Sequence, residues 1–360
     1  MSENVHCKVR GGTGFLTLDR PQALNSLSLE MIRALTATLR AWRDDPAIAA
    51  VVLRSSSEKA LCAGGDIRFF HAVGRSTPQG GSALLDDFFS EEYALNHLVH
   101  CYPKPYVALM DGVVMGGGMG ISQAGSRSAV RIVTNRTRMA MPEVNIGFFP
   151  DVGGSWFLSR APGRLGLYLA LTGLTIGAAD ALYCGLADHY VPEAELPLLA
   201  DLIGSTAGAG LREAIATFAR PLKEEAGHAE LQAHRALIDR HFGHRSVVEI
   251  IASLRSDDHP FARKALAAME QRSPLMMCVT FELLQRAGTL PIADCLRLER
   301  NLARRAFEHG EVIEGVRALA IDKDNAPRWN PPSLAAVTDE MVARFFEPAW
   351  PAWAHPLRDL

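Results

Sequence analysis

The run Pro105-Tyr106-Val107-Ala108-Leu109-Met110-Asp111-Gly112 leads, through Val113 and Val114, into Met115-Gly116-Gly117-Gly118. An apolar stretch without alternation, stopped by Asp111-Gly112, reads as a strand covered on both faces. The glycines read as a tight turn opening a helix, where backbone amides lie bare. Further on come Met141-Pro142-Glu143 and Phe149-Pro150-Asp151-Val152-Gly153-Gly154. They form an irregular segment with two carboxylates among apolar side chains. Bare amides together with acids of this kind suit chemistry on a carbonyl group.

Upstream, Gly11-Gly12-Thr13-Gly14 reads as a turn entering a strand at Phe15-Leu16-Thr17-Leu18. Ser26 or Ser28 caps a helix with Met31, Leu35, Leu39 and Trp42 at helical spacing, and Asp44-Asp45-Pro46 ends it. Ile48 to Leu53 is a second buried strand. Strand, helix, buried strand predicts a parallel pair and the α/β class. The small residues of Leu61-Cys62-Ala63-Gly64-Gly65-Asp66 follow that strand. They allow close approach of a ligand to the backbone, or they are an ordinary tight turn with Asp66 as a cap.

Residues 74–82 read as a loop by composition. On the helix after them, Phe88, Glu92, Leu95 and Val99 share one stripe, so Glu92 sits on an apolar face. Its carboxylate either reaches solvent at a boundary or points into a pocket. Beyond the central stretch, Ala129 to Val133 and Arg138 to Met141 read as short strands. Gly154 to Arg160, Leu165 to Leu171 and Ala178 to Tyr183 read as helices, and His189-Tyr190-Val191 as the last strand. From about residue 195 the pattern is helical to the end. The expected division is a catalytic core over 1–195 and a helical domain over 196–360.

With 48% hydrophobic and 21% charged residues, the chain has the composition of a globular protein with a core. A net charge of -3 gives no electrostatic case for nucleic acid or an acidic membrane surface. The six cysteines are scattered, with no C-x-x-C, as in reduced cytoplasmic proteins. The first residues have no signal-peptide or transit character, and no apolar run is long enough for a bilayer. The expected location is the cytoplasm, with no membrane partner.

Gly116-Gly117-Gly118 is not a dinucleotide loop, because Ile121 stands where a third glycine belongs. Two free amides at a helix start, with a further donor from Gly65, stabilise an oxyanion instead. Glu143 and Asp151 serve as nucleophile or base and proton shuttle, or they cap the neighbouring helices. His97, His100, His241 and His244 have no companion ligands at metal-site spacing, so no metal is expected.

The segments 61–66, 115–118, 141–143 and 150–154 together resemble the crotonase (enoyl-CoA hydratase/isomerase) superfamily. Within it the chain is similar to the 3-hydroxyisobutyryl-CoA hydrolase subgroup. That likeness extends to Glu91-Glu92-Tyr93, Ala170-Leu171-Thr172-Gly173, Ser273-Pro274, Glu314-Gly315-Val316-Arg317-Ala318 and Asp322-Lys323-Asp324. The resemblance implies a ββα spiral core with a helical C-terminal portion. It implies hydrolysis of a short 3-hydroxyacyl-CoA in valine breakdown, with CoA as part of the substrate, no other cofactor, and a homo-oligomer. Gly65 and Gly117 match the oxyanion-hole residues, Glu143 the catalytic glutamate, Asp151 the second acid of the hydrolases, and Glu92 a glutamate of their substrate pocket. The chain departs from the hydratases at Gly120, where their first catalytic glutamate falls, and at Asp151, usually glycine there. A few extra residues around Ser126 to Arg136 read as a lengthened surface connection. An isomerase needing one base and a non-catalytic CoA-binding protein are the rival readings.

Overall fold

The computed structural model describes residues 2–77, 81–123, 129–206 and 208–360. β1 (Val5–Arg10) and β2 (Thr13–Leu18) form an antiparallel hairpin. The sequence reading missed β1 because only Val5 of its six residues is buried. Only Gly11 and Gly12 make the turn, both at positive φ, while Thr13 and Gly14 already belong to β2. α1 (Leu29–Asp44) starts at Ser28, whose hydroxyl accepts from the Met31 amide. β3 (Ala50–Ser55) pairs parallel to β2, as the strand–helix–strand pattern predicts.

β4 (Ala60–Cys62) follows, and Asp66 caps α2 (Ile67–Ser76). Residues 74–76 are therefore helical rather than loop, because the periodicity of α2 outlasts its small residues; residues 78–80 lie outside the described residues. Next come α3 (Ala83–His100), β5 (Tyr106–Met110), β6 (Val113–Met115) and α4 (Gly117–Gly120). β7 (Ala129–Val133) and β8 (Arg138–Ala140) precede a 3-10 turn at Glu143–Ile146. Of the stretch read as a surface insertion, residues 126–128 lie outside the described residues. Residues 129–133 are β7 itself, an inner strand between β5 and β9 and mostly buried.

α5 (Gly154–Ser159), α6 (Leu165–Thr172), α7 (Ala178–Tyr183) and β9 (His189–Tyr190) complete the mixed part. Helices follow: α8 (Leu196–Ser205), α9 (Leu211–Ala219), α10 (Glu230–Ala233), α11 (Arg235–His241), α12 (Val247–Arg255) and α13 (Pro260–Met269). The last are α14 (Pro274–Ala287), α15 (Ile292–His309), α16 (Glu311–Val316) and α17 (Asp339–Phe345). Among the described residues none is long and apolar enough to cross a membrane.

The larger sheet runs β1-β2-β3-β5-β7-β9 and the smaller β4-β6-β8. After the first hairpin these strands pair in parallel, and an isolated antiparallel bridge joins Met139 to Ile176. Each of the pairs β3/β4, β5/β6 and β7/β8 gives one strand to each sheet, so the chain winds as a spiral. The corners of two turns of this spiral are pinned together. Asp111 accepts from the Thr134 hydroxyl at 2.6 Å and pairs with Arg136.

Residue 195 marks a change of element type; compactness is divided along other lines. One unit comprises Met1–Gly65, Ala94–Ala140 and Thr175–Gln232, and the other Asp66–Tyr93, Met141–Leu174 and Ala233–Leu360. In the first, Phe15, Val52, Val107 and Ile132 of the larger sheet pack with Leu199, Ile203, Leu211 and Ile215 of α8 and α9. In the second, Phe70, Phe88, Phe89, Phe148 and Phe307 form a connected aromatic cluster.

Candidate active site

The glycine turns belong to the first unit. β4 and β6 are adjacent parallel strands, so their C-terminal ends lie on the same edge of the small sheet. Gly64 and Gly65 follow β4, and Gly116 and Gly117 follow β6. Topology alone therefore brings together two segments some fifty residues apart in sequence, a separation read directly from their numbering. The approach is close: a Cβ on Gly64 would stand 3.2 Å from the Met115 carbonyl oxygen and 3.5 Å from the Gly117 nitrogen. A Cβ on Gly118 would run into the Cys62 carbonyl oxygen. Gly117 opens α4, so its amide has no intrahelical acceptor. Leu27 bridges to this edge through its own amide, which donates to the Gly64 carbonyl at 2.7 Å. The bond in this bridge uses the Gly64 carbonyl and not the Gly65 amide.

The acids belong to the second unit, where Glu92, Glu143, Asp151 and Glu299 are all buried. Tyr93 donates its phenol to Asp151 Oδ2 at 2.6 Å. Glu92 Oε1 and Glu143 Oε2 are buried without a hydrogen-bond partner. Burial pushes Glu92 well above the usual carboxylate range, and the charge of Asp151 adds to it. Glu143 is raised well above its ordinary value by burial first and by Asp151 next. Burial raises Asp151 to about 7, opposed by the Tyr93 hydrogen bond. The negative charge of the cluster therefore settles first on Asp151, where a donor already waits, and burial disfavours it on Glu92 and Glu143. A carboxyl group held neutral beside one that ionises near neutrality is an arrangement for moving a proton.

The Glu143 turn is held by the C-terminal helices. The Ser273 amide donates to the Val144 carbonyl at 3.3 Å, and the Ser273 hydroxyl to Glu311 Oε2 at 2.6 Å. Gly315 of α16 lies so close that a Cβ there would strike the backbone of Ile146.

Residues 13–346 match the family described as enoyl-CoA hydratase/isomerase. The chain belongs to that family. Among curated relatives, the mitochondrial 3-hydroxyisobutyryl-CoA hydrolase of Gallus gallus is 38% identical, covering 96% of this chain and 89% of that protein. A structure described as a carnitinyl-CoA dehydratase from Mycobacterium thermoresistibile superimposes with a TM-score of 0.89 at 40% identity, over 97% of this chain and 98% of that one. An enoyl-CoA hydratase from Rhodobacter sphaeroides 2.4.1 gives 0.87 at 37% identity, over 96% and 98%. The fold is thus the family's α/β spiral with a helical C-terminal portion.

Of the residues singled out from sequence, Gly65 and Gly117 lie on one sheet edge, and Glu92, Glu143 and Asp151 in one buried cluster. Sequence reasoning missed two members of that cluster. Tyr93 was noted only as part of a likeness, and Glu299 was not seen. Glu299 lies on the same α15 stripe as Cys295, Leu302 and Ala306, so the signal that singled out Glu92 is present for it too.

Proposed function

We propose that this protein is an acyl-CoA thioester hydrolase that cleaves 3-hydroxyisobutyryl-CoA, or a close short 3-hydroxyacyl-CoA, to the hydroxy acid and CoA. The observation that carries the reading is the buried Glu143 and Asp151 pair, electrostatically linked, with a phenol on Asp151 and a free oxygen on Glu143. The names of the curated relatives support the same substrate.

In this reading the amides of Gly65 and Gly117 form an oxyanion hole for the thioester carbonyl oxygen. Glu143 passes its proton to Asp151 and attacks the carbonyl carbon. The carbon–sulfur bond breaks, and Asp151 returns the proton to the leaving thiolate. Water, deprotonated by Asp151, then opens the mixed anhydride, and Glu143 is released and regains a proton. The alternative is direct attack by a water that Glu143 activates. Glu92, held neutral, binds the substrate hydroxyl.

Hydration is the second reading, favoured by the descriptions of the two similar structures. Adding water across a double bond needs two acid–base groups, and the resemblance to the family's hydratases puts Gly120 where they carry the first. Release of free thiol from 3-hydroxyisobutyryl-CoA decides, since neither a hydratase, an isomerase nor a non-catalytic CoA-binding protein frees CoA. No thiol from a panel of short 3-hydroxyacyl-CoA esters would overturn the proposal.

Tyr93→Phe tests the role of Asp151. The phenol favours the charged carboxylate, so its loss raises the Asp151 pKa. The acid limb of kcat/KM, expected near 7, should move up by about one to two pH units, the equivalent of one charge-assisted hydrogen bond. Activity should fall at pH 7 and recover above pH 9. An unmoved limb would mean that Asp151 is not the titrating group.

All six cysteines are free, which fits the cytoplasm as a reducing compartment. The mitochondrial names of the relatives make cell fractionation the test. A homo-oligomer and a place in valine breakdown belong to the same reading, and sedimentation over a range of concentrations checks the first.

A further inference from the structure

We infer that Glu299, with its neighbour Arg300, is the positioning element for Asp151. Helix α15 holds both of the segments whose side chains make the Tyr93–Asp151 hydrogen bond, and every contact involved lies within one compact unit. The inference deepens the hydrolase reading and rests on it.

Glu299 is completely buried and points at the backbone beyond Asp151. Its Oε2 accepts from the Gly153 amide at 2.7 Å, and its Oε1 from the Ser155 amide at 3.0 Å and the Ser155 hydroxyl at 2.5 Å. The backbone so gripped passes through Val152 at φ 55, a left-handed conformation that β-branched residues avoid. An outlier of this kind persists only where the surroundings hold it, and Glu299 supplies three of the hydrogen bonds that do.

Arg300, the next residue, is also buried. It donates to the Ser90 hydroxyl at 2.9 Å and to Asp86 Oδ1 at 2.6 Å, and lies over the Trp350 ring at 4.6 Å. Asp86 and Ser90 both stand on α3: Ser90 lies within one turn of Glu92 and Tyr93, and Asp86 about one turn further back. Two consecutive residues of α15 thus fix the Asp151 loop and the Tyr93 helix against a common strut.

The ionisable groups that face Asp151 are Glu92 and Tyr93 from α3, Glu143 from its turn and Glu299 from α15. Glu299 itself is raised to about 8, chiefly by burial, and Cys295 faces it from the same helix. A glutamine at 299 keeps the volume but sets one of its N–H groups against a backbone N–H. The loop then shifts, the phenol loses its grip on Asp151, and Asp151 ionises at higher pH.

The test uses the full chain with carboxyl-labelled aspartate, the Asp151 resonance assigned through Asp151→Asn, and a pH titration by NMR. In Glu299→Gln the Asp151 midpoint should rise by about one unit, in the direction expected for Tyr93→Phe. The double variant should move no further than the larger single one, because both act through one contact. With 3-hydroxyisobutyryl-CoA, kcat should fall roughly ten- to hundredfold from misplacement alone, with KM little changed. A folded Glu299→Gln with the wild-type midpoint, or fully additive shifts, overturns the inference. Should Glu299→Gln fail to fold, Ser155→Ala removes one donor and leaves both amides in place. It should raise the midpoint by less, and no rise overturns the inference equally. Wild-type protein that frees no CoA sinks the hydrolase reading instead, while the titration still decides the role of Glu299.

Discussion

Glu143→Gln will lower kcat for CoA release by about a thousandfold or more, the loss typical of a missing nucleophile or base. Glutamine matches the shape of the neutral carboxyl that burial enforces at this position, so the turn and the substrate-binding step should survive. KM and the thermal midpoint should stay close to wild type. Steady-state thiol release and a thermal melt measure both. Turnover within tenfold of wild type would remove Glu143 from the chemistry. A single turnover in heavy-oxygen water tests the anhydride. Label found in Glu143 marks an anhydride opened at the Glu143 carbonyl, whereas label confined to the product acid places the attack of water on the acyl carbon, the outcome shared by direct hydrolysis and by opening of the anhydride there.

The second large effect is expected at Gly118→Ala, a residue that carries no reacting atom. The new Cβ would run into the carbonyl oxygen of Cys62 at the end of β4. Cys62, Gly118 and Met119 are all buried, so no flexible side chain can give way. The two glycine turns must part. Loss of one oxyanion donor costs about 3 kcal/mol of transition-state stabilisation, so kcat should fall on the order of a hundredfold. The overpacking should also cost about 1–3 kcal/mol of stability, read as a lower denaturant midpoint. An alanine variant that turns over within threefold of wild type would show that the turns can separate without consequence.

Much of this was legible in the chain because local chemistry and global fold agree. Ser28 and Asp66 cap where their side chains predict. Tyr106 to Met110 reads as a strand covered on both faces and is one. Glu92 on an apolar stripe is a buried acid with an unpartnered oxygen. What failed was of two kinds. β1 has the alternation of a strand, yet it buries one residue, so nothing in its composition demanded a partner. Glu299 and Arg300 sit in a run of charged residues on α15, which looks like a solvated helix face. Their burial follows from what packs on α15 after folding, namely Gly153 and Ser155 on one residue and Asp86 and Trp350 on the other. The stripe shared with Cys295, Leu302 and Ala306 does signal the burial of Glu299, but no local pattern encodes its partners or the burial of Arg300. The meeting of Gly64 with Gly117 is likewise a product of parallel pairing between β4 and β6, and neither turn contains it alone.

The clamp of α16 on the Glu143 turn changes how sequence variants of this protein should be judged. A missense change at Gly315 or Ser273 lies far along the chain from every acid, and a screen centred on the acids would pass it as harmless. Yet such a change removes the anchor that aims Glu143. Such alleles, in the last quarter of this sequence, should therefore lose more activity than their loss of protein abundance accounts for, and abundance alone would underestimate them.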